Sequence, residues 1–132
     1  MKPQAAAFLV AADEALSDAR GNLSIKIFRQ AARLAYYAQF HAAQALIFER
    51  TSMISKTHKG VDRQFHKLAK TETTLAPGFA GQLSAAYYYK DVADYDTGTA
   101  PPITSAQAGA AIATAEQFVA AIRLALAGPT LP

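Results

Sequence analysis

Ala35-Tyr36-Tyr37-Ala38-Gln39-Phe40-His41-Ala42-Ala43 lies inside the longest apolar repeat of the chain. Ile25, Phe28, Ala32, Ala35, Tyr36, Phe40, Ala43 and Ile47 recur at steps of three and four, the spacing of one face of an α-helix. The stripe predicts a helix over about 23–50, with Asn22 or Ser24 as its cap.

Toward the N-terminus, Pro3 suits a first helical turn, and Phe8, Ala12, Ala15, Leu16 and Ala19 continue at helical spacing until Gly21, so a first helix is predicted over roughly 3–20. Beyond the polar connection Thr51 to Thr57, Val61, Phe65 and Leu68 face one way while Arg63, Lys67 and Lys70 line another, giving a short basic helix. Pro77-Gly78 breaks the chain, and Phe79, Leu83, Ala86, Tyr87 and Val92 mark a fourth helix that stops before Gly98 and Pro101-Pro102. Thr104 and Gln107 have capping-box spacing, and Ile112, Ala115, Phe118, Val119, Ile122 and Leu126 form a last helix ending at Gly128-Pro129. The short connections imply an all-α, antiparallel up-and-down bundle of four to five helices, with residues 1–132 read as a single domain.

Composition agrees. The 31 alanines favour helix and let helices approach closely, and strands have little support. With no cysteine, disulfides, thiolate-ligated zinc and cysteine nucleophiles are excluded. The apolar opening runs straight into Asp13 and Glu14 and lacks a signal-peptide pattern, so a cytoplasmic location is expected. No segment is read as reaching the ~20 apolar residues that span a bilayer, and no membrane partner is expected. The net charge of +3 is uneven: residues 20–70 carry +8, against −2 before them and −3 after. A middle section this positive attracts phosphates or an acidic protein surface; ordinary solvated helix faces are the alternative.

Within the long helix, Tyr36 falls over Phe40 and Tyr37 over His41. Tyr36 and Phe40 continue the apolar stripe and read as core. Tyr37 and His41 lie at its edge, where a second helix or a second subunit could receive them. Small flanking alanines suit such an interface, and a homodimer is the simplest inference.

Three blocks together resemble a known family: Ala35-Tyr36-Tyr37-Ala38-Gln39-Phe40-His41-Ala42-Ala43-Gln44-Ala45-Leu46, then Lys56-Thr57-His58-Lys59-Gly60-Val61 with Phe65 beyond, and Ala93-Asp94-Tyr95-Asp96. In this order and spacing the chain is similar to the HEPN domains, within their single-domain prokaryotic branch. The resemblance implies a dimeric up-and-down bundle, often encoded beside a minimal nucleotidyltransferase in a toxin-antitoxin pair, with RNA as ligand or substrate. It implies for catalytic members a metal-independent ribonuclease site, an Arg followed after four to six residues by a His, duplicated across the dimer.

Here the corresponding stretch reads Lys90-Asp91-Val92-Ala93-Asp94-Tyr95-Asp96-Thr97, with lysine in place of arginine and no histidine following. Lysine replaces a planar fork with a point charge, and tyrosine with a pKa near ~10 is a poor proton shuttle at neutral pH. A non-catalytic module that binds RNA, a nucleotide or a nucleotidyltransferase is therefore the leading expectation, with no cofactor. A diverged ribonuclease, in which Lys90 holds phosphate and His41 or Tyr95 moves the proton, is the alternative; a purely structural subunit is the third. Branch members commonly carry an arginine directly before Ala-Tyr-Tyr, whereas this chain has Leu34 there and Arg33 one residue earlier, about 100° around the helix.

Asp91, Asp94 and Asp96 gather near a helix C-terminus, where negative charge opposes the helix dipole. Arg33 or Arg63 is the expected partner, and a divalent ion the alternative. His58 and His66 are too far apart along one helix to share a metal. Thr57 reads as an N-cap, and an anion could sit on that helix N-terminus beside Lys56, His58 and Lys59, with Arg63 and Lys67 further along.

Overall fold

Pro3 carries no amide proton to leave unpaired and presets the helical φ, so the chain enters its first helix at once. In the computed structural model, which describes residues 1–95, 98 and 101–128 (for Tyr95, the backbone alone), that helix, α1, runs Pro3–Ser24. It is followed by α2 (Phe28–Thr51), α3 (His58–Ala69), α4 (Gly81–Tyr95) and α5 (Ser105–Ala127). The fold is all-α.

Antiparallel packing follows from which ends meet. The Lys2 amide donates to Glu49 at 2.6 Å, joining the start of α1 to the end of α2. Arg20 pairs with Glu116 at 3.1 Å and Arg123 with Asp13, so α1 and α5 also run in opposite senses. α2 lies at the centre and touches all four other helices. Much of what α1 and α2 bury is small: Ala31, Ala35, Ala38, Ala42 and Ala45 of α2 are buried, as are Ala5, Ala12 and Ala19 of α1. Alanine forgoes side-chain contact area and in return lets backbones come close, which suits a long seam. The bulkier part of the core is aromatic: the Phe118 ring centroid lies 5.4 Å from that of Phe65 and 4.6 Å from that of Phe79. Arg50 fastens the adjacent end of α2, reaching Glu72 at 2.6 Å and the Ala125 carbonyl at 3.2 Å.

The Gly21 stop is not used. α1 continues to Ser24 because Leu23 packs against the core and because Asn22 and Ser24, expected to cap the next helix, turn back and donate to the Asp18 and Gly21 carbonyls. Ile27 is the actual N-cap position of α2, with no side-chain cap, and Ile25 sits exposed in the turn rather than in the α2 stripe. Lys26 makes the turn at φ +65°. The later caps agree with expectation: Thr57 accepts from the Gly60 amide at 3.0 Å, and Thr104 with Gln107 forms the reciprocal capping box. α5 corrects the hydropathy reading, since by length and composition it is apolar enough to cross a membrane. Its alanines raise the mean hydropathy, while Ile112, Phe118, Val119 and Ile122 are buried within the bundle.

Candidate functional site

Along α2, steps of three and four bring Arg33, Tyr36 and Tyr37 toward the same neighbours, and along α4 the same steps align Tyr87, Lys90 and Asp94. The two rows face each other. Tyr36 and Tyr87 meet edge to face with centroids 5.5 Å apart, and Tyr37 packs on Tyr36 at 5.4 Å. The first residue of α3 closes the cluster: the Tyr36 hydroxyl shares a 2.9 Å hydrogen bond with His58 Nδ1, and the imidazole lies flat on Tyr87, centroids 3.7 Å apart at 11°.

Charge sits at one edge of this aromatic group. Lys90 Nζ lies 5.7 Å from the Tyr87 ring centre and 2.5 Å from Asp94 Oδ2, while Arg33 Nε is 2.8 Å from Asp94 Oδ1 and its guanidinium covers the Tyr37 ring at 5.4 Å. The hydrogen bond to Asp94 raises the Lys90 pKa, and the same bond, aided by Arg33, lowers that of Asp94. Burial lowers the His58 pKa and the Lys90 charge lowers it further, with Asp62 opposing. Burial also pushes the Tyr36 phenol up, keeping it protonated. Around neutral pH the cluster thus pairs a neutral imidazole and a neutral phenol with one carboxylate held between two cations.

A sequence model of the HEPN domain matches residues 5–125. The chain belongs to the HEPN domain family. A protein of Methanocaldococcus jannaschii named "Putative toxin MJ0605" is 32% identical over 120 residues, spanning 91% of this chain and 87% of that one.

In this HEPN domain the residues singled out from sequence fall into three places. Lys90, Asp94 and Tyr37 are together in the cluster just described, joined by His58. His41 stacks beside Tyr37 at 6.3 Å but directs Nδ1 at Gln44 Oε1, 2.9 Å away, and Gln44 in turn donates to the Ser55 carbonyl; its hydrogen bonding belongs to the connection before α3, not to Lys90. Lys56, Lys59, Arg63 and Lys67 are exposed on and before α3, and Thr57 caps its start. The side chain of Tyr95, and all of Asp96, lie outside the described residues. Among the described residues no three His, Asp or Glu side chains gather to hold a metal ion. The displaced Arg33 is not carried away from α4, because its long side chain spans to Asp94.

Tyr87 was legible only as core, and His58 as a residue of the α3 N-terminal anion site rather than as a partner of Tyr36 and Tyr87. Contact between them depends on how α3 crosses α4, although the three- and four-residue steps linking Tyr87, Lys90 and Asp94 were a signal available in the sequence.

Proposed function

We propose that this HEPN chain is a dimeric helical module of a toxin-antitoxin-type pair, which binds RNA, a nucleotide or a nucleotidyltransferase partner without cutting RNA. The named toxin among its relatives supports the setting. The observation that carries the non-cleaving reading is Asp94, engaged at 2.5 Å by Lys90 and at 2.8 Å by Arg33. A phosphate approaching Lys90 must displace a carboxylate already bound there, and the segment from Asp91 to Thr97 offers no histidine to move a proton. Exposed Lys56, Lys59, Arg63 and Lys67 supply a phosphate-attracting surface elsewhere. The test is incubation of purified protein with single-stranded and structured RNA beside a Lys90→Ala variant. Both are expected to leave the RNA intact, and cleavage by the parent that Lys90→Ala abolishes would overturn the reading.

One observation favours a diverged ribonuclease instead. His58 brings a neutral imidazole close to Lys90 from α3, replacing in space the histidine missing in sequence. That reading requires cleavage lost equally in Lys90→Ala and His58→Ala, whereas His41→Ala leaves it unchanged.

A further inference from the structure

On the other side of the α2 and α4 seam, facing α5, lies an open cleft of about 220 Å³. Its walls are mainly alanine from all three helices, Ala35, Ala86 and Ala111 among them, with ring surface from Tyr36 and Tyr89. Gln39 also lines it. This side chain is 1% exposed, and its Oε1 has no hydrogen-bond partner among the described residues. A buried amide oxygen without a partner is unfavourable, so a donor that reached it from the cleft would be held there.

Four properties define that ligand. Among the described residues the lining holds no Lys, Arg, Asp or Glu, so the part that enters is uncharged and a phosphate stays outside. Walls that are mainly alanine suit a flat group, and tyrosine gives it a surface to lie against. A dry cavity of about 150 Å³ accommodates benzene, so a cleft of about 220 Å³ has room for a bicyclic ring but not for a whole nucleotide. A carboxamide offers an acceptor and donors in one plane, the complement of the adenine amine and its neighbouring ring nitrogen.

We infer that this cleft is a purine-base site in which Gln39 reads the adenine edge. The inference rests on the reading that the chain binds RNA or a nucleotide, and names the part of that ligand the fold recognises. Gln39 accepts from the exocyclic amine through Oε1 and donates to the ring nitrogen through Nε2. Ribose and phosphate remain at the mouth.

The test is an amide-resolved NMR titration of the full chain with adenosine, inosine and cytidine, together with labelled oligo-adenylate and oligo-uridylate RNA. Adenosine is expected to shift the Gln39 side-chain amide and the Ala35, Ala86 and Ala111 signals, with inosine, which lacks the amine, at least tenfold weaker. Gln39→Leu is expected to abolish the adenosine shifts while keeping a cooperative thermal transition. Ala86→Met, which fills the cleft and leaves Gln39 in place, is the second variant, with the same loss expected should Gln39→Leu fail to fold. Absence of shifts at millimolar adenosine, equal binding of inosine, or binding that survives both substitutions overturns the site. Salt-sensitive RNA binding without any adenosine response removes the purine site and leaves the RNA reading standing. Adenosine binding without RNA binding keeps the site and removes RNA as its source.

Discussion

Tyr36 is 2% exposed, yet its hydroxyl reaches His58 at 2.9 Å, so one side chain serves both the core and the cluster. Tyr36→Phe keeps the ring and removes the bond, and should lower stability by about 1 kcal/mol in a denaturant titration, the usual net value of such a hydrogen bond. His58 makes that stability pH-dependent. Its folded pKa is lowered from 6.5, so the unfolded chain binds the proton more readily. The contribution is complete above the unfolded pKa and lost as pH falls through 6.5 toward the lower folded value. Melting temperatures from pH 7.5 to pH 5 should therefore drop more for the parent than for His58→Gln; equal drops would remove His58 as the cause. At this scale sequence reading was partial. Tyr36 and Phe40 were legible as core because their periodicity is local, whereas the bond from Tyr36 to His58 joins residues on two helices whose crossing no spacing rule gives.

Among the elements, α3 depends on its first turn. A Cβ built on Gly60 would lie 2.1 Å from Ser55 Oγ and 2.9 Å from Thr57 Oγ1, the oxygen that caps the helix. Helix propensity alone predicts a gain of about 1 kcal/mol for Gly60→Ala. Overpacking on a committed cap instead predicts a loss of about 1–3 kcal/mol, partly restored when Ser55→Ala is added, and chemical denaturation of the double-mutant cycle decides the sign. The caps of α3 and α5 were legible, since Thr57 and the Thr104 with Gln107 pair are signalled within four residues. Thr104→Ala should cost about 1 kcal/mol by the same measurement. The α1 to α2 turn was not legible. Gly21 costs a helix roughly 1 kcal/mol, and packing of the partly buried Leu23 one half-turn later offsets it, a balance that only the packed bundle reveals.

Across the whole molecule, periodicity and alanine content were enough for an all-α bundle, because each helix declares its buried face without reference to its partners. The pairing of opposite charges was visible only as an asymmetry. Folding resolves part of it internally, Arg33 with Asp94 and Arg50 with Glu72, and leaves Lys56, Lys59, Arg63 and Lys67 exposed. Native mass measurement at micromolar concentration should show a dimer, and a monomer would remove the assembly from the proposal.

Whether RNA is bound through phosphate contacts and left uncut, the RNA reading of the proposal, is decided by one salt titration. Labelled single-stranded RNA is bound to the protein between about 50 and 200 mM salt, and the RNA is recovered and sized afterwards. Full-length RNA is expected at every point, with an affinity falling linearly in log-log form and a slope shallower by about 1.4 for the Arg63→Ala/Lys67→Ala double variant. RNA recovered as fragments, or an affinity that neither salt nor those two substitutions change, would contradict it.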